Sequence, residues 1–358
     1  MSTFYDNILD ASDGLIFRAV EDRQRLTRNE TEEHLRALAL DYEARAGQLW
    51  NRDYSSVAAF LKSVEPNRKR WLQAVGDFGE PLPKMDATTE PFIEDSKVLG
   101  VWVTIRLFEK MNARAVLAIP KTKTGPLPVV LCQHGIGSTP ERVFGFDDPQ
   151  CLYHAYGRRL VEDGYAVLAP LNTTEARPRA RLHRIALLLG KTLWGLEICK
   201  IRRFVDFLCN DARFARERIA MWGLSLGGAY TLLTTPLEPR IKVAICSAWF
   251  NHRVRKMVVD DSRYSCFLSA EEEHIFIPGW LREFSDSDLV SLICPRPLHV
   301  QAGKCDGISW WPFLAEEFGR AREHYVRLGL GDRIELHLHE AGHEIRYEEG
   351  AAFLRKWL

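Results

Sequence analysis

The chain has 358 residues, 46% of them hydrophobic, and its 48 Lys+Arg residues are balanced by 48 Asp+Glu. That length supports a sizeable core and exceeds the roughly 250–300 residues at which single cores stop growing, so one large domain with an accessory segment is expected. A formal net charge of zero argues against nucleic acid as a partner, because phosphate-backbone binding leaves a basic footprint.

No uncharged run approaches the roughly 20 residues of a membrane span, so no membrane partner is expected. The opening Met1-Ser2-Thr3-Phe4-Tyr5-Asp6-Asn7 lacks the basic-then-apolar order of a signal peptide. Eight cysteines are scattered at 132, 151, 199, 209, 246, 266, 294 and 305 with no C-x-x-C pair. Reduced thiols in a cytoplasmic protein are expected from that pattern rather than a disulfide framework.

Residues 1–95 read as a helical accessory segment. Leu35, Leu38, Tyr42 and Leu49 fall near helical spacing, and a second helix is predicted over Ser55–Val75, anchored by Phe60, Leu61, Val64, Trp71 and Leu72. Pro66 is expected to divide or bend it, and Pro81-Leu82-Pro83 ends the helical region. The pattern changes near Lys97, which sets the catalytic domain at 96–358. Val101, Val103, Ile105 and Leu107 alternate as in a strand, and Ala113–Ile119 reads as a second strand antiparallel to it. Strands and helices then alternate: strands at 129–133, 165–169, 218–222, 241–246, 298–302 and 333–338, helices at 152–162, 193–209, 226–235, 313–328 and 344–358. Short apolar strands between amphipathic helices imply a mostly parallel α/β sheet covered on both faces, with ligands at the carboxyl ends of the strands.

Gly223-Leu224-Ser225-Leu226-Gly227 matches G-x-S-x-G between a predicted strand and a predicted helix. That is the context the chemistry needs. The serine must sit on a sharp turn that lifts its hydroxyl above the sheet, and small flanking residues let strand and helix approach. A serine hydroxyl also needs a base, and the chain order for such a site is serine, acid, histidine. Asp306 lies just past one predicted strand and His343 in the loop after the next, on the sheet edge that carries Ser225. Asp332 is a rival acid at the wrong end of its strand. Glu340 is a rival close in sequence to His343, and His337 and His339 are rival bases on the strand or at its end. Two donors are expected for an oxyanion hole: the backbone N–H of Leu226, and that of Ile136 in the turn Gln133-His134-Gly135-Ile136-Gly137.

Two further motifs are set aside. His339-Glu340-Ala341-Gly342-His343 matches H-E-x-x-H, but the alternation of Ile334, Leu336 and Leu338 before it is a strand pattern, whereas zinc needs both histidines on one helix face, so no metal is expected. Gly190-Lys191-Thr192 resembles the end of a P-loop, but Ile185 stands where its first glycine is required.

From Lys97 to the C-terminus the chain resembles the dienelactone-hydrolase and acetyl-xylan-esterase-like branch of the α/β-hydrolases. The resemblance rests on Gly164–Pro170, Gly195-Leu196-Glu197, Gly223–Gly228, His274 with Ile277-Pro278-Gly279, Cys294–Leu298 and Gly342-His343-Glu344. It implies hydrolysis of a small-molecule carboxylic ester without a cofactor. Dienelactone hydrolases proper carry cysteine where Ser225 stands, and the cephalosporin-deacetylase and glucuronoyl-esterase groups carry glutamine and arginine where Leu226 stands, so their specificities do not transfer. His134, Trp310 and Trp311 are candidate substrate contacts. Arg177, Arg179, Arg181 and Arg184 follow a strand end and read either as a cleft border favouring an acidic substrate or as solvated or locally paired side chains. The long excursion 250–289 reads as a cap over the site. Amide hydrolysis, acyl transfer to another acceptor, or an inactive binding protein remain as alternatives, and no oligomeric state is legible.

Overall fold

This computed structural model describes residues 14–79, 82–146, 148 and 150–358, with side chains from Val20 onward. The N-terminal heptapeptide and Pro81 read above lie outside the described residues. The described residues begin with three helices, α1 (Gly14–Leu40), α2 (Tyr42–Gly47) and α3 (Val57–Val75). Nine strands follow: β1 (Thr88–Glu94), β2 (Val98–Phe108), β3 (Met111–Pro120), β4 (Leu127–Gln133), β5 (Ala166–Pro170), β6 (Phe214–Leu224), β7 (Ile241–Ser247), β8 (Leu298–Gly303) and β9 (Ile334–His339). The helices among them are α4 (Pro140–Val143), α5 (Tyr156–Glu162), α6 (Ala176–Leu188), α7 (Leu193–Cys209), α8 (Leu226–Thr234), α9 (Arg253–Val258), α10 (Trp280–Glu283), α11 (Asp286–Ile293), α12 (Trp311–Val326) and α13 (Tyr347–Trp357).

All strands join one sheet in the order β1-β2-β3-β5-β4-β6-β7-β8-β9. The antiparallel pairs lie at the β1 end, as expected for β2 and β3, and every pair from β5 through β9 is parallel. Alternate side chains feed two cores. Ile219 and Met221 of β6, with Val129 and Leu131 of β4, face a core shared with α3, α7, α8, α11 and α12. Ala220, Trp222, Val130 and Cys132 face a second core closed by α5 and α13. This is the two-sided burial that makes parallel strands read as continuous apolar runs.

Helix α3 runs unbroken through Pro66. The expected division does not occur because buried residues on both sides of the proline, Phe60 and Val64 before it and Trp71 and Val75 after it, dock on one core. Their burial outweighs the roughly 3 kcal/mol cost of an interior proline. Two departures from the sequence expectation have a clear physical reason. β1 forms between the end of the helical region at Pro83 and Lys97, where no element is predicted, and pairs antiparallel with β2; it is an edge strand with four exposed residues at its start, so it carries no alternation to detect. α5 starts at Tyr156 rather than 152, because His154 and Ala155 both adopt φ +48°, outside the helical region.

Trp71 joins the N-terminal helices to the rest of the fold. It is fully buried, its indole N–H donates to the Leu233 carbonyl at 3.1 Å, and its ring packs on Phe284 at 5.1 Å and Trp280 at 5.7 Å. Trp71→Ala is expected to lower unfolding free energy by about 3–5 kcal/mol, measured by urea denaturation. A loss below about 1 kcal/mol would show that α3 contributes little to the stability of the sheet.

Candidate active site

The parallel strands end on one edge, and the loops leaving them build the site. Ser225 is the residue between β6 and α8 and holds φ +60°, ψ −122°, a conformation that costs a non-glycine residue about 1–3 kcal/mol and persists only where the surroundings enforce it. Its own N–H donates to the Ser247 carbonyl at 2.9 Å. The flanking glycines are there for contact. A Cβ on Gly223 would sit 2.1 Å from the Gly227 carbonyl oxygen, and one on Gly227 would sit 2.2 Å from that of Gln133. Strand β4, strand β6 and helix α8 therefore meet backbone to backbone.

Asp306 follows β8 and is buried. Its Oδ1 accepts the Ile308 N–H at 3.0 Å, and its Oδ2 accepts the His343 Nδ1–H at 2.8 Å. Such a bond leaves Nε2 of the neutral imidazole as the free lone pair. His343 and Ser225 line the same cavity, of about 220 Å³. The rival acids are elsewhere: Glu340 is largely exposed and pairs with Lys304 at 2.5 Å, and Asp332 sits in the 3-10 turn that precedes β9. His339 ends β9, and residues 340–346 are bends and coil rather than helix. The two histidines of the H-E-x-x-H pattern therefore share no helix face.

The turn after β4 borders the cavity. The Gly135 N–H is taken by the Tyr153 hydroxyl at 2.7 Å and the Gly137 N–H by the Thr174 carbonyl at 3.1 Å. Ile136 lies between them and lines the cavity with Leu226. Leu226 is the first residue of α8, whose N–H has no partner within the helix. His134 does not line the cavity. It is fully buried, its Nδ1 lies 3.2 Å from the Gly135 carbonyl oxygen, and its Nε2 accepts the Asn172 N–H at 3.3 Å. Burial pushes its imidazole down to about 4, which keeps it neutral in that bonding pattern.

The rest of the lining comes from residues the sequence did not single out. Trp249, Phe267 and Ile308 are its apolar part, and Asn251, Arg253, Lys256, Ser265 and Glu272 its polar part. Most of these belong to the 250–289 excursion. Arg253 is neutralised by Asp286, with bonds of 2.8 and 2.7 Å between two fully buried groups. Burial holds the Glu272 carboxyl above its ordinary range, against the pull of Lys256 and Arg179. Trp310 and Trp311 are not part of the lining; they sit at the start of α12, 6.5 Å apart, with the Arg263 guanidinium 5.0 Å from Trp310. Of the four arginines of α6, Arg177 and Arg181 are exposed. Arg184 pairs with Glu273 at 3.0 Å, and Arg179 is buried against Glu197 at 3.0 Å.

A largely parallel sheet carrying a serine on the strained turn after a central strand, with a carboxylate two strands away bound to a histidine three strands away, defines an α/β-hydrolase. A model of the abhydrolase family matches residues 101–309, and the chain belongs to that family. It is 25% identical over 305 residues to YtaP of Bacillus subtilis (strain 168), a provisionally named hydrolase; the match spans 81% of this chain and 98% of YtaP. Among solved structures, a Bacteroides fragilis protein provisionally named an acetyl xylan esterase superposes with a TM-score of 0.67 at 17% identity, over 86% of this chain and 81% of its own. A glucuronoyl esterase from Solibacter usitatus does so with a TM-score of 0.65 at 15% identity, over 84% of this chain and 93% of its own. No helix among the described residues is long and apolar enough to cross a membrane.

Proposed function

We propose that the chain is a serine carboxylic-ester hydrolase that forms an acyl-enzyme on a small or sugar-linked ester. The observation that carries this reading is the 2.8 Å bond from His343 to Asp306, with His343 opening onto the cavity that holds Ser225. In the proposed reaction His343 Nε2 takes the Ser225 proton as Oγ attacks the ester carbonyl. Asp306 fixes the imidazole and stabilises its charged form. The N–H groups of Leu226 and Ile136 receive the developing oxyanion. His343 returns the proton to the leaving alcohol, and water then releases the acyl group with His343 again as base. The engaged amides on both sides of Ile136 support its role, since neither Gly135 N–H nor Gly137 N–H is free to serve as the donor.

The 250–289 segment serves as a cap, since Phe267, Lys256 and Glu272 wall the cavity from it. A volume of about 220 Å³ is below the roughly 300–1,000 Å³ of pockets for drug-sized ligands, which favours a short acyl group. The glucuronoyl and acetyl-xylan esterase names of the structural neighbours support a carbohydrate on the alcohol or acyl side.

The test pairs a fluorophosphonate probe with a substrate panel. The expected result is a single adduct on the peptide containing Ser225, together with hydrolysis of 4-nitrophenyl acetate that falls steeply as the acyl chain lengthens. No adduct and no turnover across 4-nitrophenyl esters, sugar acetates and uronate methyl esters would replace the esterase reading with that of a binding protein. Faster cleavage of a matched anilide than of the ester would make it an amidase.

A further inference from the structure

Lys256 is almost entirely buried in the wall of the cavity, yet among the described residues no carboxylate lies within ion-pair distance of its ammonium, although Glu272 and Asp306 are near enough to act on it. Its ammonium instead donates to three oxygens: the Ser265 carbonyl, the Ser265 hydroxyl at 2.7 Å and the Ile308 carbonyl at 2.7 Å. An ammonium has three N–H groups and no lone pair, so donors and acceptors match one to one. Two of those oxygens belong to the cap segment and the third to the loop after β8. A parallel backbone bond joins the same two segments, from Ser265 N–H to the Gly307 carbonyl at 3.0 Å.

The loop so held is the one that carries Asp306. Ile308 is fixed at both of its backbone polar groups, with its N–H on Asp306 Oδ1 at 3.0 Å and its carbonyl on Lys256. On the other side, the loop is tied to the turn after β9 by Lys304 N–H to the His339 carbonyl and Cys305 N–H to the Ala341 carbonyl. That side moves with His343. The cap side is the independent anchor, and Lys256 with Ser265 supplies it.

We propose that Lys256 is a positioning residue for hydrolysis: by clamping the cap segment at Ser265 to the loop carbonyl of Ile308, it sets the position of Asp306 and, through it, the aim of the His343 imidazole at Ser225. The inference rests on the reading of Ser225, His343 and Asp306 as the reacting groups. It makes the cap a structural part of the proton relay as well as a cover for the substrate.

The clamp depends on charge. Burial pushes the Lys256 ammonium down to about 8, helped by Arg253 on its own helix, while Glu272 and Cys266 from the cap and Asp306 from the loop act in the opposite direction. A neutral amine offers two N–H groups for three acceptors and turns a lone pair toward an oxygen. The clamp is therefore complete below that pH and loses a bond above it.

The experiment compares Lys256→Met and Lys256→Arg with the wild-type chain on 4-nitrophenyl acetate, each across a pH series, with fluorophosphonate labelling of Ser225 in parallel. In Lys256→Met, kcat is expected to fall about 10- to 100-fold, the scale of a catalytic group misplaced by an ångström, with KM within about twofold and no alkaline limb near pH 8. In Lys256→Arg, kcat at neutral pH is expected to recover most of that loss, and the alkaline limb to move up with the guanidinium's higher pKa. Unchanged kcat in Lys256→Met overturns the clamp. So does a loss confined to KM, which would make Lys256 a substrate contact. If Lys256→Met does not fold, an alkaline limb left in place by Lys256→Arg overturns it equally. A wild-type chain that neither hydrolyses the ester nor takes the label overturns the underlying esterase reading instead, so the two failures are distinguishable.

Discussion

Ser225→Ala is expected to lower kcat on 4-nitrophenyl acetate by about 10⁵–10⁶-fold, with KM changed by less than about fivefold. The magnitude follows from what the side chain does in the proposed mechanism. Ser225 Oγ is the only atom that bonds to the substrate carbonyl, whereas the oxyanion donors at Leu226 and Ile136 are backbone N–H groups that survive the substitution. A residual acceleration over water of roughly 10³–10⁴ is therefore expected from those donors and from binding. The double variant Ser225→Ala/His343→Ala carries the sharper test. If His343 acts only on the Ser225 proton, removing it after the serine costs almost nothing, and the double variant matches the single one within about threefold. A further hundredfold loss would mean that in the serine-free variant His343 activates water directly on the ester, a role additional to the Ser225 proton. Because alanine keeps a Cβ at φ +60°, the turn keeps its strain and its geometry. Unchanged turnover in Ser225→Ala would therefore remove Ser225 from the reaction altogether.

Much of the fold was legible in the sequence because parallel strands buried on both faces leave continuous apolar runs. Val129–Gln133 and Ile241–Cys246 were found that way and extend by only one or two residues in the structure. Strand β1 was not legible, since an edge strand reading Thr-Thr-Glu-Pro-Phe-Ile-Glu has no buried face to impose a period. Ser225, Asp306 and His343 are singled out because the proposed chemistry demands given residue types at the carboxyl ends of strands, and the structure places His343 on Asp306 and on the cavity that Ser225 lines. Trp310 and Trp311 were chosen for their closeness to Asp306 along the chain. The chain turns into α12 there, and it is Ile308 that lines the cavity. Lys256 stands 50 residues before Asp306 in the sequence and reaches its loop only because the 250–289 excursion folds back over the strand ends. No local pattern announces such a contact.

Lowering the pH from about 7.5 to about 5 is expected to destabilise the fold severely, through histidines that do no chemistry. Burial pushes His134 to about 4, His299 and His324 to about 3 and His274 to about 2. All four are buried. His134 accepts the Asn172 N–H through Nε2, a bond that protonation would break. His274 has neither ring nitrogen bonded, and His299 lies between His337 and Phe353. In the unfolded chain each titrates near 6.5, so between that pH and the folded values the unfolded state binds more protons. Stability in that window therefore rises with pH, is fully present above about 6.5, and is lost as pH falls toward 4. At pH 5 each group costs about 2 kcal/mol. Four together cost about 8 kcal/mol, a large share of the roughly 5–15 kcal/mol that holds a domain folded. The Tm is expected to drop by roughly 10–15 °C between the two pH values. Asp95 and Asp261, held at about 2, lose their contribution only below about pH 4, whereas the buried Glu317 carboxyl, raised to about 7 by burial, titrates inside the window with the opposite sign and offsets roughly the further share of His252, lowered to about 4. His299→Phe should fill the same space without a protonatable ring. It should flatten the pH dependence by one group's share, seen as a smaller difference in urea midpoint between pH 5 and 7.5. A wild-type Tm that is level across that range would show that these four rings find solvent or a partner on protonation.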